Sequence, residues 1–185
     1  DLVELGADPK KLSTIIYGVD TDEIYPSDKG VAAKRQELDI KSDELMILAV
    51  GRLVAKKGFP YVIKAMPQIL KSVPKAKLVI IGDGDQRAEL EGLVDELNLR
   101  DSVGMPGFAS RDQIQVLYNA ADAFILPSIR DDAGNLDDQS VALVEAMAVG
   151  TPVVATNFPG YGIVIEEGKN GHLTKERDPD DIAKA

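Results

Sequence analysis

The chain has no cysteine, which excludes a disulfide framework, a zinc–thiolate site and thiol redox chemistry. It has one histidine, His172, and one imidazole with no thiolate partner does not make a metal site. With a single histidine, neither Ser128 nor Ser140 has an obvious adjacent base, so no nucleophilic triad is supported. Long hydrophobic runs are absent too. Leu45-Met46-Ile47-Leu48-Ala49-Val50 falls far short of the roughly 20 residues a membrane-spanning helix needs, and no signal peptide is visible. A soluble, cytoplasmic setting is expected. Positive charge is scarce: 21 Lys and Arg stand against 31 Asp and Glu, a net charge of -10. That balance opposes binding to nucleic acid or anionic lipid, so neither is an expected partner of this segment. Any phosphate held here needs a local cationic cluster.

What is present fits one folded unit. A chain of 185 residues, 44% hydrophobic and 28% charged, can bury one sizeable core. Residues 1–185 are therefore read as a single domain, with 1–20 as a lead-in segment. It opens on Asp1 and runs out at Ala183-Lys184-Ala185 within a helical pattern, as expected of a piece of a longer chain.

Short apolar runs alternate with stretches of helical period: 45–50, 58–72, 77–81, 85–98, 111–120 and 122–126. This alternation predicts βαβ units and a parallel sheet. Leu78-Val79-Ile80-Ile81 and Val153-Val154-Ala155 are almost wholly apolar, as strands covered on both faces are. The expected fold class is α/β, a doubly wound, mostly parallel, Rossmann-like sheet flanked by helices, with ligands beyond the carboxyl ends of the strands.

Three stretches carry candidate chemistry. In Gly51-Arg52-Leu53-Val54-Ala55-Lys56-Lys57-Gly58 a strand ends in glycine and cations flank the next helix. It is either a solvated basic turn or a phosphate cradle, since glycine admits close backbone approach and Arg and Lys supply charge-assisted bonds. Ile81-Gly82-Asp83-Gly84-Asp85-Gln86-Arg87 resembles the opening of a dinucleotide fingerprint, with Arg87 where the third small residue belongs. Its plainer reading is a tight turn in which Asp83 or Asp85 caps the following helix. The third is a helix starting near Ser140, with an expected apolar face of Val141, Val144, Met147 and Ala148 and one carboxylate, Glu145, at its centre. Burying that carboxylate unpaired is costly, so it either faces solvent or serves a ligand. The polar stretch 131–139 before it is a long loop at the ligand end. Its Asp131, Asp132, Asp137 and Asp138 lack the roughly twelve-residue EF-hand spacing, and no metal role is expected. Lys169-Asn170-Gly171-His172 reads as a hairpin or the turn that starts a strand.

Taken in order, Gly51-Arg52-Leu53, Lys57-Gly58, Ile81-Gly82-Asp83-Gly84, Gly107-Phe108 and Glu145-Ala146-Met147-Ala148 resemble the family-four retaining glycosyltransferases. Ile15-Ile16-Tyr17-Gly18-Val19-Asp20 resembles the family's Asn-Gly-Val-Asp linker strand, with Tyr17 in place of Asn. Leu117-Tyr118-Asn119-Ala120-Ala121-Asp122 matches its Tyr-x-x-Ala-Asp helix end. The resemblance implies the C-terminal half of a GT-B enzyme that binds a nucleotide-sugar donor, its N-terminal acceptor domain lying outside this chain. By resemblance, Arg52 and Lys57 hold the donor diphosphate and Glu145 accepts the ribose hydroxyls. Asp137 stands where the family has a Glu touching the donor sugar, one methylene shorter. Gly51, Gly82, Gly107, Phe108, Gln139, Ser140 and Val141 complete the expected binding set, with the stretch Met105–Ser110 reading the base through its backbone. Asp138-Gln139-Ser140 replaces the usual Gly-Phe-Gly. No cofactor and no metal are implied, the nucleotide sugar being the substrate.

Overall fold

The computed structural model describes every residue except Asp1, Thr14, Ile16 and Asp138. Six strands, β1 (Leu45–Val50), β2 (Ala76–Ile81), β3 (Val103–Gly107), β4 (Ala123–Leu126), β5 (Val153–Thr156) and β6 (Gly171–Thr174), form one sheet in the order β3-β2-β1-β4-β5-β6. Every pairing is parallel. The helices are α1 (Val31–Glu37), α2 (Phe59–Ser72), α3 (Arg87–Glu96), α4 (Arg111–Ala120), α5 (Val141–Ala148) and α6 (Pro179–Lys184). The expected doubly wound α/β sheet is thus present.

Side chains alternate between two cores, one on each face, because successive strand residues point to opposite sides. Met46 and Leu48 of β1, Val79 and Ile81 of β2, and Phe124 and Leu126 of β4 meet Tyr118, Leu143 and Ala146. Ala49, Leu78, Ile80 and Ile125 meet Phe59, Ile63 and Met66 of α2 and Leu90 and Val94 of α3. Burial on both faces is why these strands read as continuous apolar runs. The two edge strands, β3 and β6, are not such runs; β3 carries Pro106, which donates no hydrogen bond and is tolerated at an edge.

The connections run outward in both directions from the β1–β4 pair, so the crevice where ligands bind in such sheets opens between the ends of β1 and β4. The ends themselves are packed backbone to backbone. Gly82 has φ 144°, and a Cβ there would lie 1.9 Å from the Gly51 carbonyl oxygen. Gly58 has φ 67°, and a Cβ there would lie 1.9 Å from the Pro127 carbonyl oxygen. Only glycine fits either position.

Three local expectations are corrected and one is decided between its alternatives. Neither Asp83 nor Asp85 caps α3: its N-cap is Gln86 with no side-chain cap, and Asp83 Oδ1 instead accepts from Gly84 N–H and Arg87 Nε. The buried face of α5 is Leu143 and Ala146 with Glu145; of the expected face, Met147 and Ala148 pack partly buried against the same core, while Val141 is exposed. Nearly all positions of this helix are apolar, so its own pattern does not choose a face. Of the two readings of Lys169–His172, the turn that starts a strand is the one observed: the turn leads into β6, which runs parallel to β5. The described part of the stretch around Gly18 forms no strand; Ile16, like Asp138, lies outside the described residues.

Candidate functional site

The basic turn after β1 is held from beneath. Gly51 donates its N–H to Ile81 O at 3.0 Å, and Leu53 donates to Asp83 O at 2.9 Å, so the exits of β1 and β2 are joined. Residues Ala55–Lys57 form a 3-10 turn ending in Gly58, and Ile129 N–H donates to Lys56 O at 2.9 Å, docking that turn on the exit of β4. The two cations have different surroundings. Arg52 is exposed and, among the described residues, makes no side-chain hydrogen bond or ion pair. Lys57 is 13% exposed at its side chain and donates to Asp137 Oδ2 at 2.7 Å.

Asp137 is a junction. Besides Lys57, the Ser128 hydroxyl lies 3.4 Å from its Oδ2, and the Tyr161 hydroxyl donates to its backbone carbonyl and lies 3.4 Å from the same Oδ2. Ser128 and Tyr161 hydroxyls are 3.3 Å apart. Sequence reasoning missed Ser128 and Tyr161 as partners of this acid, because they reach it from the exit of β4 and from the turn after β5. Lys57 and Asp137 were both expected at the site, and the fold brings them into direct contact at the crevice mouth.

Glu145 lies just over one turn into α5 and is 4% exposed, which settles the choice between solvent and interior. Each oxygen of its carboxylate is bonded to protein: Tyr118 OH donates to Oε2 at 2.8 Å, and Arg111 Nη1 donates to Oε1. Burial, reinforced by the charge of Glu145, pushes the Tyr118 hydroxyl well up, so it stays a donor at neutral pH. The hydrogen bond to Glu145 raises Arg111 in turn. Arg111 is the first residue of α4 and was not expected here. Tyr118 follows it two turns later, on the helix end already noted for its Tyr-x-x-Ala-Asp pattern.

The remaining expected residues frame the crevice. Ser140 is the buried N-cap of α5, Gln139 is half-buried before it, and Val141 opens the helix with its side chain 44% exposed. Gly107 ends β3 with φ 102°, and Phe108 beyond it is 84% exposed. Arg87 is not a failed glycine of a fingerprint. Its guanidinium donates to Gly82 O at 3.0 Å and Met105 O at 3.2 Å, tying the ends of β2 and β3 together. The same guanidinium holds the Asp83 carboxyl below its ordinary value. Among the described residues no group of three acidic or histidine side chains converges as a metal site would require.

The sequence pattern of the family described as glycosyl transferases group 1 matches residues 31–185, and the chain belongs to that family. An uncharacterised glycosyltransferase of Methanocaldococcus jannaschii is 41% identical over 149 residues, 80% of this chain and 36% of the relative. The putative colanic acid biosynthesis glycosyltransferase WcaL of Salmonella typhimurium is 33% identical over 98% of this chain and 43% of its own length. The structure of Anabaena HepE in complex with UDP and glucose superposes with a TM-score of 0.83 at 26% identity, covering 98% of this chain and 48% of that one. The chain spans less than half the length of each of these proteins. No helix among the described residues is long and apolar enough to cross a membrane.

Proposed function

We propose that this chain is the donor-binding half of a retaining GT-B glycosyltransferase that moves a hexose from a nucleoside-diphosphate sugar to an acceptor hydroxyl. The observation that carries the reading is Arg52, exposed and without a side-chain partner among the described residues, on the same turn as Lys57 at the β1–β4 crevice, in a protein whose net charge is -10. Two cations on glycine-supported backbone suit a diphosphate, and they stabilise the charge that grows on it as the sugar leaves. Glu145, buried on α5, is the acceptor for the ribose hydroxyls. Asp137 sits at the donor-sugar position, where its bond to Lys57 also aims that ammonium at the crevice. With two cations present, donor binding proceeds without a divalent metal. HepE, bound to UDP and glucose, and WcaL, named for colanic acid synthesis, support a nucleotide-sugar donor and a cell-envelope polysaccharide as the product class. The acceptor site belongs to the N-terminal half of the enzyme, so this half does not turn over alone.

Calorimetric titration with UDP, GDP and ADP, with and without magnesium, tests the reading. One nucleotide is expected to bind without metal, and Arg52→Ala and Glu145→Gln are expected to weaken it. Failure of all three at millimolar concentration, or binding that needs magnesium, overturns it. The main rival is a nucleotide-sugar-binding module without chemistry, which Asp137 favours in that its carboxylate is already bonded to Lys57. Donor hydrolysis or transfer by the full-length enzyme rejects that rival.

A further inference from the structure

Glu145 is the ribose acceptor of the reading above, yet its side chain is 5% exposed and both of its oxygens are bonded to protein. The two partners are not equivalent. Tyr118 is buried in the core and fixed there by packing edge-on against Phe124. Arg111 is 50% exposed, sits at the free end of α4, and reaches outward as well as inward: its Nε donates to Glu23 Oε2 at 3.2 Å, in the segment before α1. The guanidinium therefore closes the outer edge of the Glu145 carboxylate and is moored on its solvent side by one exposed acid.

We propose that Arg111, which pairs Glu145, is a displaceable stand-in for the ribose and is exchanged for the 2′- and 3′-hydroxyls when a nucleotide binds. The exchange keeps the buried carboxylate satisfied at each stage, since leaving it unpaired is the costly alternative. The guanidinium can move because it is at the surface and its stem is long. Tyr118 stays on Oε2 throughout and keeps the carboxylate in register. Because Glu23 holds the same guanidinium through Nε, moving Arg111 off Glu145 also strains its tie to the segment before α1. Arg111 in this role tunes affinity: the nucleotide binds only the fraction of molecules whose carboxylate is uncovered, and its apparent affinity is reduced by that fraction.

The test compares UDP, with GDP and ADP in parallel, against inorganic pyrophosphate, which has no ribose, by calorimetry on wild type, Arg111→Met and Glu23→Gln. Arg111→Met keeps most of the stem and removes the charge. It is expected to tighten the nucleoside diphosphate about tenfold, for a competent fraction of about one tenth, and to leave pyrophosphate within twofold. Glu23→Gln loosens the mooring only and is expected to tighten the nucleotide by less. Weaker or unchanged nucleotide binding by Arg111→Met overturns the proposal, and the same result for Glu23→Gln overturns it if Arg111→Met does not fold. Glu145→Gln separates the two readings: it weakens the nucleotide and not pyrophosphate if Glu145 meets the ribose. If it changes neither, the ribose assignment fails and takes the exchange with it. If it weakens the nucleotide while Arg111→Met does not tighten it, the exchange alone fails.

Discussion

The two charged halves of the crevice are built in opposite ways. The cationic half, Arg52 and Lys57, stands on rigid backbone: Gly58 and Gly82 beneath it each press on a neighbouring carbonyl, and Arg52 is exposed and has no side-chain partner among the described residues. The anionic half, Glu145, is a buried side chain on a short helix, held by side chains from another helix. The difference teaches where precision comes from. A surface cation such as Arg52 loses little hydration, so the chain has only to place its backbone, whereas Lys57, largely covered, is held by Asp137. A buried carboxylate must be satisfied by donors at fixed distances, so its role depends on packing.

Breaking the rigid half has the largest expected effect. Gly82→Ala forces a Cβ against the Gly51 carbonyl and is expected to cost about 3–5 kcal/mol of stability in urea unfolding. Gly150→Ala is the control: its φ is 86° but nothing lies within 4 Å of the new Cβ, so only the left-handed backbone penalty of about 1–2 kcal/mol is expected. Equal losses would show that conformation, not contact, makes Gly82 necessary.

Next comes the packed half. Tyr118→Phe removes the donor to Glu145 Oε2 and leaves a buried carboxylate oxygen short of a partner, an expected loss of about 1–3 kcal/mol in the same assay. No loss would show that Arg111 alone satisfies the acid. For Arg52→Ala the order of effects reverses: stability is expected to stay within about 0.5 kcal/mol, while nucleotide binding weakens by about 1.5–3 kcal/mol. A stability loss would mean that Arg52 is structural.

The smallest effect is acid sensitivity at the base of the cationic half. Asp83 is held below its ordinary value by Arg87. A depressed carboxylate stabilises the fold above its unfolded value of 3.8 and loses that contribution as pH falls through the lower folded value. Wild type is therefore expected to fall off more steeply than Asp83→Asn below about pH 4, with the two converging in the acid limb. Parallel melting curves across that range would remove Asp83 from the account.

Much of the fold was legible because its signals are local. Strand runs at 45–50, 77–81 and 122–126 and helices at 58–72 and 111–120 match the observed elements to within one residue at each end. β3 was not predicted as a strand, because Pro106 and Gly107 hide an edge strand behind turn chemistry. Arg87 looked like an interruption of a glycine motif because its worth lies in carbonyls of two other strands. The face of α5 was misjudged because an almost wholly apolar helix carries no stripe to read.

By itself the sequence determined the alternation of strands and helices, the glycine-borne cationic turn at the end of β1 and the position of one acid within an apolar helix, since each depends on residues near one another in the chain. Only the tertiary structure decided what those groups touch. Lys57 finds Asp137 across 80 positions and Glu145 finds Arg111 across 34. A parallel sheet gathers its strand ends at one edge, and distant side chains meet there by the order of the strands rather than by their spacing in the chain.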